Sequence, residues 1–243
     1  ETFAEDWSAS PLTHSYLGGP SNTKTMNTHL HLLEAMANFY RAGALPLARE
    51  RLLELIHIQS NTVVRKTVGT CTDRYQRDWT PMLDGENGQV AYGHCLENIW
   101  LLIDACDAAG ISPSPLRDLF QMLFNYALKY GFDEKKGGFY CSGTIVKDRA
   151  TDRNKVWWVQ AEALVSALYM YRLTQDTKYL EVFAKTYDFI DKHQVDWHNG
   201  EWYAAITPQG KPEGNKADQW KAGYHNGRAM MECLTILKKA QRK

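Results

Sequence analysis

No run of apolar residues in this chain approaches the ~20 that a membrane-crossing helix needs, and no secretory signal opens it. A membrane partner is therefore not expected. Charge of one sign is also lacking. The 28 basic and 28 acidic side chains among 243 residues cancel, whereas a nucleic-acid binder would show a basic surplus on one face. Cysteine is sparse: five residues, at 71, 95, 106, 141 and 233, odd in number and without CxxC spacing. That pattern predicts reduced thiols and a cytoplasmic location rather than a disulfide framework. No linker or low-complexity stretch interrupts the chain, so its length predicts one domain, 1–243, with a sizeable core.

What the chain has in excess is aromatic surface. Eight Trp and thirteen Tyr are more than a core of this size usually requires. Core filling accounts for most of them, and a carbohydrate site is one use for the remainder, because sugar C–H faces pack on aromatic rings.

Helical periodicity dominates. It predicts helices over 27–42, 45–59, 94–109, 156–174, 177–192 and 224–239. A further helix runs to about Tyr130 from Ser114 and Pro115, its expected N-cap and first residue. Gly43 reads as a stop and Pro46 as a start. Between helix pairs lie turn-rich pieces that resemble one another: ETFAEDWSASP, DRYQRDWTPML, EKKGGFYCSG and DWHNGEWYAAI. The first two share Asp-Trp at 6/7 and 78/79; the last two share Gly before aromatic pairs near 138–140 and 200–203. A unit of two helices and a short hairpin, about 60–70 residues long, signals a repeat. It predicts an all-α toroid of helical hairpins whose inner helices line a cavity. Each hairpin buries its faces on its neighbours, and seven helices are too few to close twelve-helix walls, so the N-terminal part of the toroid is expected to be missing from this chain.

Polar residues fall on helix faces in a pattern. Asn27, His31, Glu34 and Asn38 stand at i, i+4, i+7 and i+11, a single stripe. His29 points about 200° away from His31, so the pair is not expected to chelate a metal. His94 and Glu97 are spaced i,i+3, which lets the carboxylate orient the imidazole or raise its pKa. Trp158 and Glu162 lie one turn apart, and His225, Arg228 and Glu232 form a similar stripe. Singly, each is more often a solvated face. Together, on the first helices of successive hairpins, they would converge on one cavity.

Histidines with supporting carboxylates and stacking tryptophans suit proton abstraction beside a carbonyl. Two imidazoles on opposite sides of a carbon could remove a proton from one face and return it to the other, inverting a stereocentre without a cofactor. Glycoside cleavage would instead want a flanking carboxylate pair, and a binding protein with an inherited pocket would want no base at all.

The segments NTHLHLLEA (27–35), YGHCLENIWLL (92–102), KVWWVQAEAL (155–164) and WKAGYHNGRA (220–229) resemble, in order and across the whole chain, the N-acylglucosamine 2-epimerase superfamily, most of all its cellobiose (mannobiose) 2-epimerase branch. The resemblance implies an (α/α)6 barrel and 2-epimerisation of a reducing-end sugar through a cis-enediolate. It implies His94 and His225 as the acid/base pair, His225 meeting the substrate first. His31 would be the third site histidine and Asn27 the Asn before it; Glu97 would support His94, and Glu162 would be a required glutamate. Trp157 (or its neighbour Trp158) and Trp220 would stack on the sugar. Arg228 could anchor Glu232 or a substrate oxygen. The implied partner is a small sugar, bound without metal or cofactor by a monomer or homodimer. Cellobiose epimerases commonly carry Asp where this chain has Cys95, and relatives acting on acylated monosaccharides carry a small residue, so the substrate stays open between the two. An aldose–ketose isomerase is the alternative within the same chemistry. The family also draws an arginine from an N-terminal helix that these 243 residues do not include.

Overall fold

The computed structural model describes residues 3–8, 20, 22–147 and 149–241. Seven α-helices stand among them: α1 (Met26–Gly43), α2 (Pro46–His57), α3 (Tyr92–Ala109), α4 (Arg117–Gly131), α5 (Trp157–Thr174), α6 (Lys178–Phe189) and α7 (Tyr224–Gln241). Pro46 opens α2 as expected. Two boundaries differ from the sequence reading. The left-handed residue that ends α1 is Ala44 (φ 48°), whose N–H returns to the Tyr40 carbonyl, so Gly43 remains helical. Ser114 does not cap α4: Ser114–Leu116 winds into a separate 3-10 turn, because the two prolines at 113 and 115 tighten the chain before the α-helix starts at Arg117. Helices α2 and α6 each run on through a π turn, Ile58–Thr62 and Ile190–Gln194.

The helices alternate between two layers. Helix α1 packs on α3, α3 on α5 and α5 on α7, while α2, α4 and α6 back them from outside. This is the hairpin order of an (α/α)6 barrel. Residue character follows the layer. The inner helices α3 and α5 are apolar nearly all round, with Leu96, Ile99, Leu102, Val159, Leu164 and Val165 fully buried, as helices enclosed on every side require. The outer α4 buries one stripe, Phe120, Leu123, Phe124 and Ala127. Helices α1 and α7 take the ends of the arc and present Leu32, Phe39, Met231 and Leu234 to solvent.

Short strands tie successive hairpins together in a repeated way. The residues just before each inner helix pair antiparallel with the loop that follows the next outer helix: Lys24–Thr25 with Arg74–Tyr75, Gln89–Ala91 with Ser142–Thr144, and Lys155–Val156 with Ala205–Ile206. The loop resemblances in the sequence become identical turns. In the Asp-Trp pair, Trp7 (φ 67°) and Trp79 (φ 71°) both adopt the left-handed region, and Asp6 and Asp78 each accept the N–H two residues on at 2.9 Å. Ala9, Ser10 and Pro11 of the first piece lie outside the described residues. Asp133 and Asp196 each accept two loop N–H groups and bind a lysine, Lys155 and Lys216, that also donates to a glycine carbonyl. These turns fix where each inner helix begins, so the four helix starts open on the same face of the arc.

Candidate active site

The first two turns of α1, α3, α5 and α7 bring one cluster together, with Arg228 at its hub. The guanidinium donates to Glu34, to Glu97 Oε1 (2.8 Å) and to Glu162 Oε1 (2.8 Å), one carboxylate from each of the other inner helices. It lies 4.8 Å from the Trp100 ring centre and 4.3 Å from that of Tyr224, so aromatic rings flank it while its two terminal nitrogens are hydrogen-bonded. Burial opposes the charge, yet the three carboxylates outweigh it and hold Arg228 more firmly protonated than a free arginine. The sequence reading offered Glu232 or a substrate oxygen as partner. Glu232 does not hold the guanidinium: it accepts from Tyr169 instead, at 3.3 Å.

Three buried carboxylates around one cation cannot all be favourably ionised. The strain falls on Glu97. Burial and the nearby charge of Glu162 push its pKa well above the usual carboxylate range despite Arg228. Glu162 goes the other way: burial would raise it, but the His225 hydrogen bond and the Arg228 charge prevail and keep it ionised. Its Oε2 accepts from Trp100 Nε1 at 2.7 Å and its Oε1 meets His225 Nδ1 at 2.7 Å. Glu97 was expected to support His94, one turn away on α3. It serves Arg228 instead, since a buried carboxyl gains far more from a buried guanidinium than from a neutral imidazole.

His225 therefore has its Nδ1 fixed by a carboxylate, which leaves Nε2 for proton transfer. Its ring lies 5.6 Å from Trp158, and the ring of His94 lies 4.8 Å from the same tryptophan. Burial, with His31 and His225 close by, lowers His94 to about 4, so it stands neutral at ordinary pH. Trp158 reaches His94 because residue 93 is glycine; a β-carbon there would overlap the indole ring. Trp157 is farther from His225, at 6.5 Å, with Lys221 Nζ 5.4 Å from its ring centre.

His31 joins the cluster from α1. Its Nδ1 lies 3.4 Å from both Glu34 Oε2 and the Tyr224 hydroxyl. The Tyr224 hydroxyl also donates to Glu34. Burial resists ionisation of Glu34, but His31, Arg228 and Tyr224 together bring it down to about 2. Asn27, one turn before His31, has its N–H on Asp73 Oδ1 at 3.0 Å, and its own Oδ1 is buried with no partner among the described residues.

Of the sequence-predicted residues, His31, His94, Glu97, Glu162, His225, Arg228, Trp157 and Trp158 come together, and Asn27 lies one turn away. Trp220 does not join them. It is 60% exposed, and its described hydrogen bond runs from its backbone N–H to Asp218, which turns the 215–223 loop outward. Cys95 is buried, with Sγ 3.3 Å from Thr70 Oγ1. Two residues of the cluster escaped the sequence reading: Tyr224, immediately before His225, and Trp100, hidden in the apolar run NIWLL. Glu34 was seen on its stripe without a role. Glu97, Glu162 and His225 place ligand atoms within 4.8 Å of one another, a spacing that could hold a metal; Arg228, bonded to both glutamates, already fills the position for a cation.

Comparison with known proteins agrees with this geometry. The family model for N-acylglucosamine 2-epimerase (GlcNAc 2-epimerase) matches residues 5–229. The cellobiose 2-epimerase of Bacteroides fragilis is 30% identical over 217 residues, covering 87% of this chain and 53% of the relative, so the chain spans about half the length of such curated relatives. A D-mannose isomerase of Marinomonas mediterranea is 32% identical over 116 residues, 47% of this chain and 29% of that protein. The solved cellobiose 2-epimerase of Spirochaeta thermophila superposes with a TM-score of 0.81 at 33% identity, covering 98% of this chain and 59% of that one. The match over nearly the whole chain and the cluster it encloses place this protein in the N-acylglucosamine 2-epimerase family.

Proposed function

We propose that the chain carries the catalytic histidines of a cofactor-independent 2-epimerase acting on reducing-end sugars of the cellobiose and mannobiose type. The observation that carries the reading is the pair of unlike imidazoles around Trp158: His225 bonded to an ionised carboxylate, His94 held neutral without one.

Epimerisation at C2 needs the open-chain aldehyde, a base on one face of C2 and an acid on the other. Trp158 supplies a ring face on which the sugar packs, with Trp157 beside it. In this direction His225 enters as the proton donor, its imidazolium stabilised by the Glu162 carboxylate at Nδ1, and neutral His94 is the acceptor. His94 then removes the C2 proton from the epimer that faces it. The electron pair moves into C1–C2 and the negative charge onto O1, giving the cis-enediolate. His225 returns its proton to C2 from the other face. The opposite epimer meets the two groups in reverse. His31, with Nδ1 turned toward Glu34 and Tyr224, leaves Nε2 for proton transfer during ring opening. The starts of four inner helices surround the site, and their positive ends favour the oxyanion.

Incubation with cellobiose in D2O, followed by proton NMR, tests the reading. Deuterium should enter C2 as the mannose-type epimer accumulates. Absence of C2 exchange with cellobiose, mannose and N-acetylglucosamine alike would remove it. The match to a D-mannose isomerase supports one alternative outcome, protonation of the same enediolate at C1, which would show as ketose signals in the same spectrum.

A further inference from the structure

We propose that a second cavity, between the 133–140 loop, the 206–210 turn and the end of α6, binds a phosphorylated sugar. The cavity holds about 540 Å³ and shares no residue with the Arg228 cluster; that volume is within the range of small-molecule sites.

Its charge is one-sided. Asp133 is the single carboxylate on the wall, and it is fully engaged: Oδ1 accepts the N–H groups of Lys135 and Lys136, and Oδ2 accepts from the buried Lys155 Nζ at 2.9 Å. Glu134, next to it, pairs with Lys185 instead at 2.8 Å. Lys135, Lys136 and Arg153 line the cavity with no ion pair among the described residues, and His193 faces it from beyond α6. Three uncompensated cations on one concave wall are conspicuous in a chain whose formal charges sum to zero.

The cations are also positioned. Arg153 donates to the Tyr140 hydroxyl at 2.7 Å, with its guanidinium 4.7 Å from that ring's centre. Lys136 Nζ is steered across the opening by the Pro208 carbonyl at 3.3 Å. A phosphate monoester, carrying between one and two negative charges at neutral pH, matches a guanidinium fork and an ammonium group. Beyond the cations, Phe189, Ile206 and the ring of Tyr140 give the wall an apolar portion beside the polar Thr207, Gln209 and His193. A sugar ring has C–H faces for such a wall, which inorganic phosphate lacks. The location links the cavity to the cluster. Arg153 and Lys155 lead directly into Trp157, whose N–H bonds Ala204 (3.0 Å), and Lys155–Val156 pairs with the strand that forms the cavity's far side.

Isothermal titration of the 243-residue chain at about 50 mM salt with glucose 6-phosphate, inorganic phosphate and glucuronate tests the proposal. Glucose 6-phosphate should bind, the other two more weakly, and the double variant K136Q/R153Q should weaken the sugar phosphate about tenfold or more. Both positions are at the surface, so the melting temperature of the double variant should match the parent's and exclude misfolding. The proposal fails if glucose 6-phosphate gives no binding up to about 10 mM. It also fails if affinity survives in K136Q/R153Q, which would move the ligand to the Arg228 cluster. Inorganic phosphate or glucuronate binding as tightly as the sugar phosphate would overturn the assignment of the ligand.

Discussion

His225 Nδ1 and Glu162 Oε1 stand 2.7 Å apart across the α5–α7 contact, and that bond fixes the orientation of the imidazole. Glu162→Gln keeps the shape and removes the charge. The rate of C2 exchange should fall by up to about 10⁴-fold, the cost of turning the carboxylate behind a catalytic histidine into an amide, while cellobiose KM changes little. A variant that exchanges C2 deuterium at the parent rate would separate Glu162 from the chemistry.

If His94 and His225 serve opposite faces of C2, each single variant should keep half of the exchange chemistry. His94→Asn should still exchange the C2 proton of the epimer that His225 serves, and His225→Asn that of the other, while net epimerisation drops by several orders of magnitude in both, since proton transfer has no spare group. Deuterium uptake measured separately from glucose-type and mannose-type substrates reads this out. Equal residual exchange from both epimers in either variant would mean one base, not two.

Helix identity and layer were legible in the sequence because burial writes a 3.6-residue period into α1, α4 and α7 and apolar residues nearly all round into α3 and α5. The hairpin repeat was legible for a similar reason: Asp6-Trp7 and Asp78-Trp79 fold into the same turn. Partners across helices were not. Spacing along α3 allows Glu97 to meet His94, but nothing local announces Arg228, 131 residues later, as the charge that claims it. Trp220 shows the converse error, since nearness to His225 in the chain did not bring it to the cluster once Asp218 capped the intervening turn. Trp100 sits in an apolar run and is buried, yet its Nε1 edge meets Glu162 and its ring meets the Arg228 guanidinium.

Gly93 should be intolerant of any side chain. A methyl group there would overlap the Trp158 indole, which would have to shift. Gly93→Ala is expected to cost about 1–3 kcal/mol, the range for overpacking a filled core, and to lower C2 exchange by pushing Trp158 off His94. Adding Trp158→Leu to Gly93→Ala should recover stability but not exchange. Denaturant melts of the two single variants and the double variant give the coupling; strict additivity would show that the two residues do not share the space.

Acid should destabilise the fold in two windows set by different residues. His94 is lowered from 6.5 to about 4, chiefly by burial. The unfolded chain therefore takes up this proton more readily, so the linked stability is complete above pH 6.5 and is lost as pH falls toward 4. Glu34 acts lower. Against the effect of burial, His31, Arg228 and Tyr224 hold it at about 2 rather than 4.5, so its contribution is present above 4.5 and lost toward 2. Thermal melts stepped from about pH 7.5 to about pH 3 should fall along both segments. His94→Asn should flatten the segment between 6.5 and 4 and leave the lower one, whereas Glu34→Gln should lower stability at neutral pH and flatten only the lower segment, because it removes a charge from Arg228. If His94→Asn melts run parallel to the parent between pH 6.5 and 4, the neutral imidazole is not what the upper window reports.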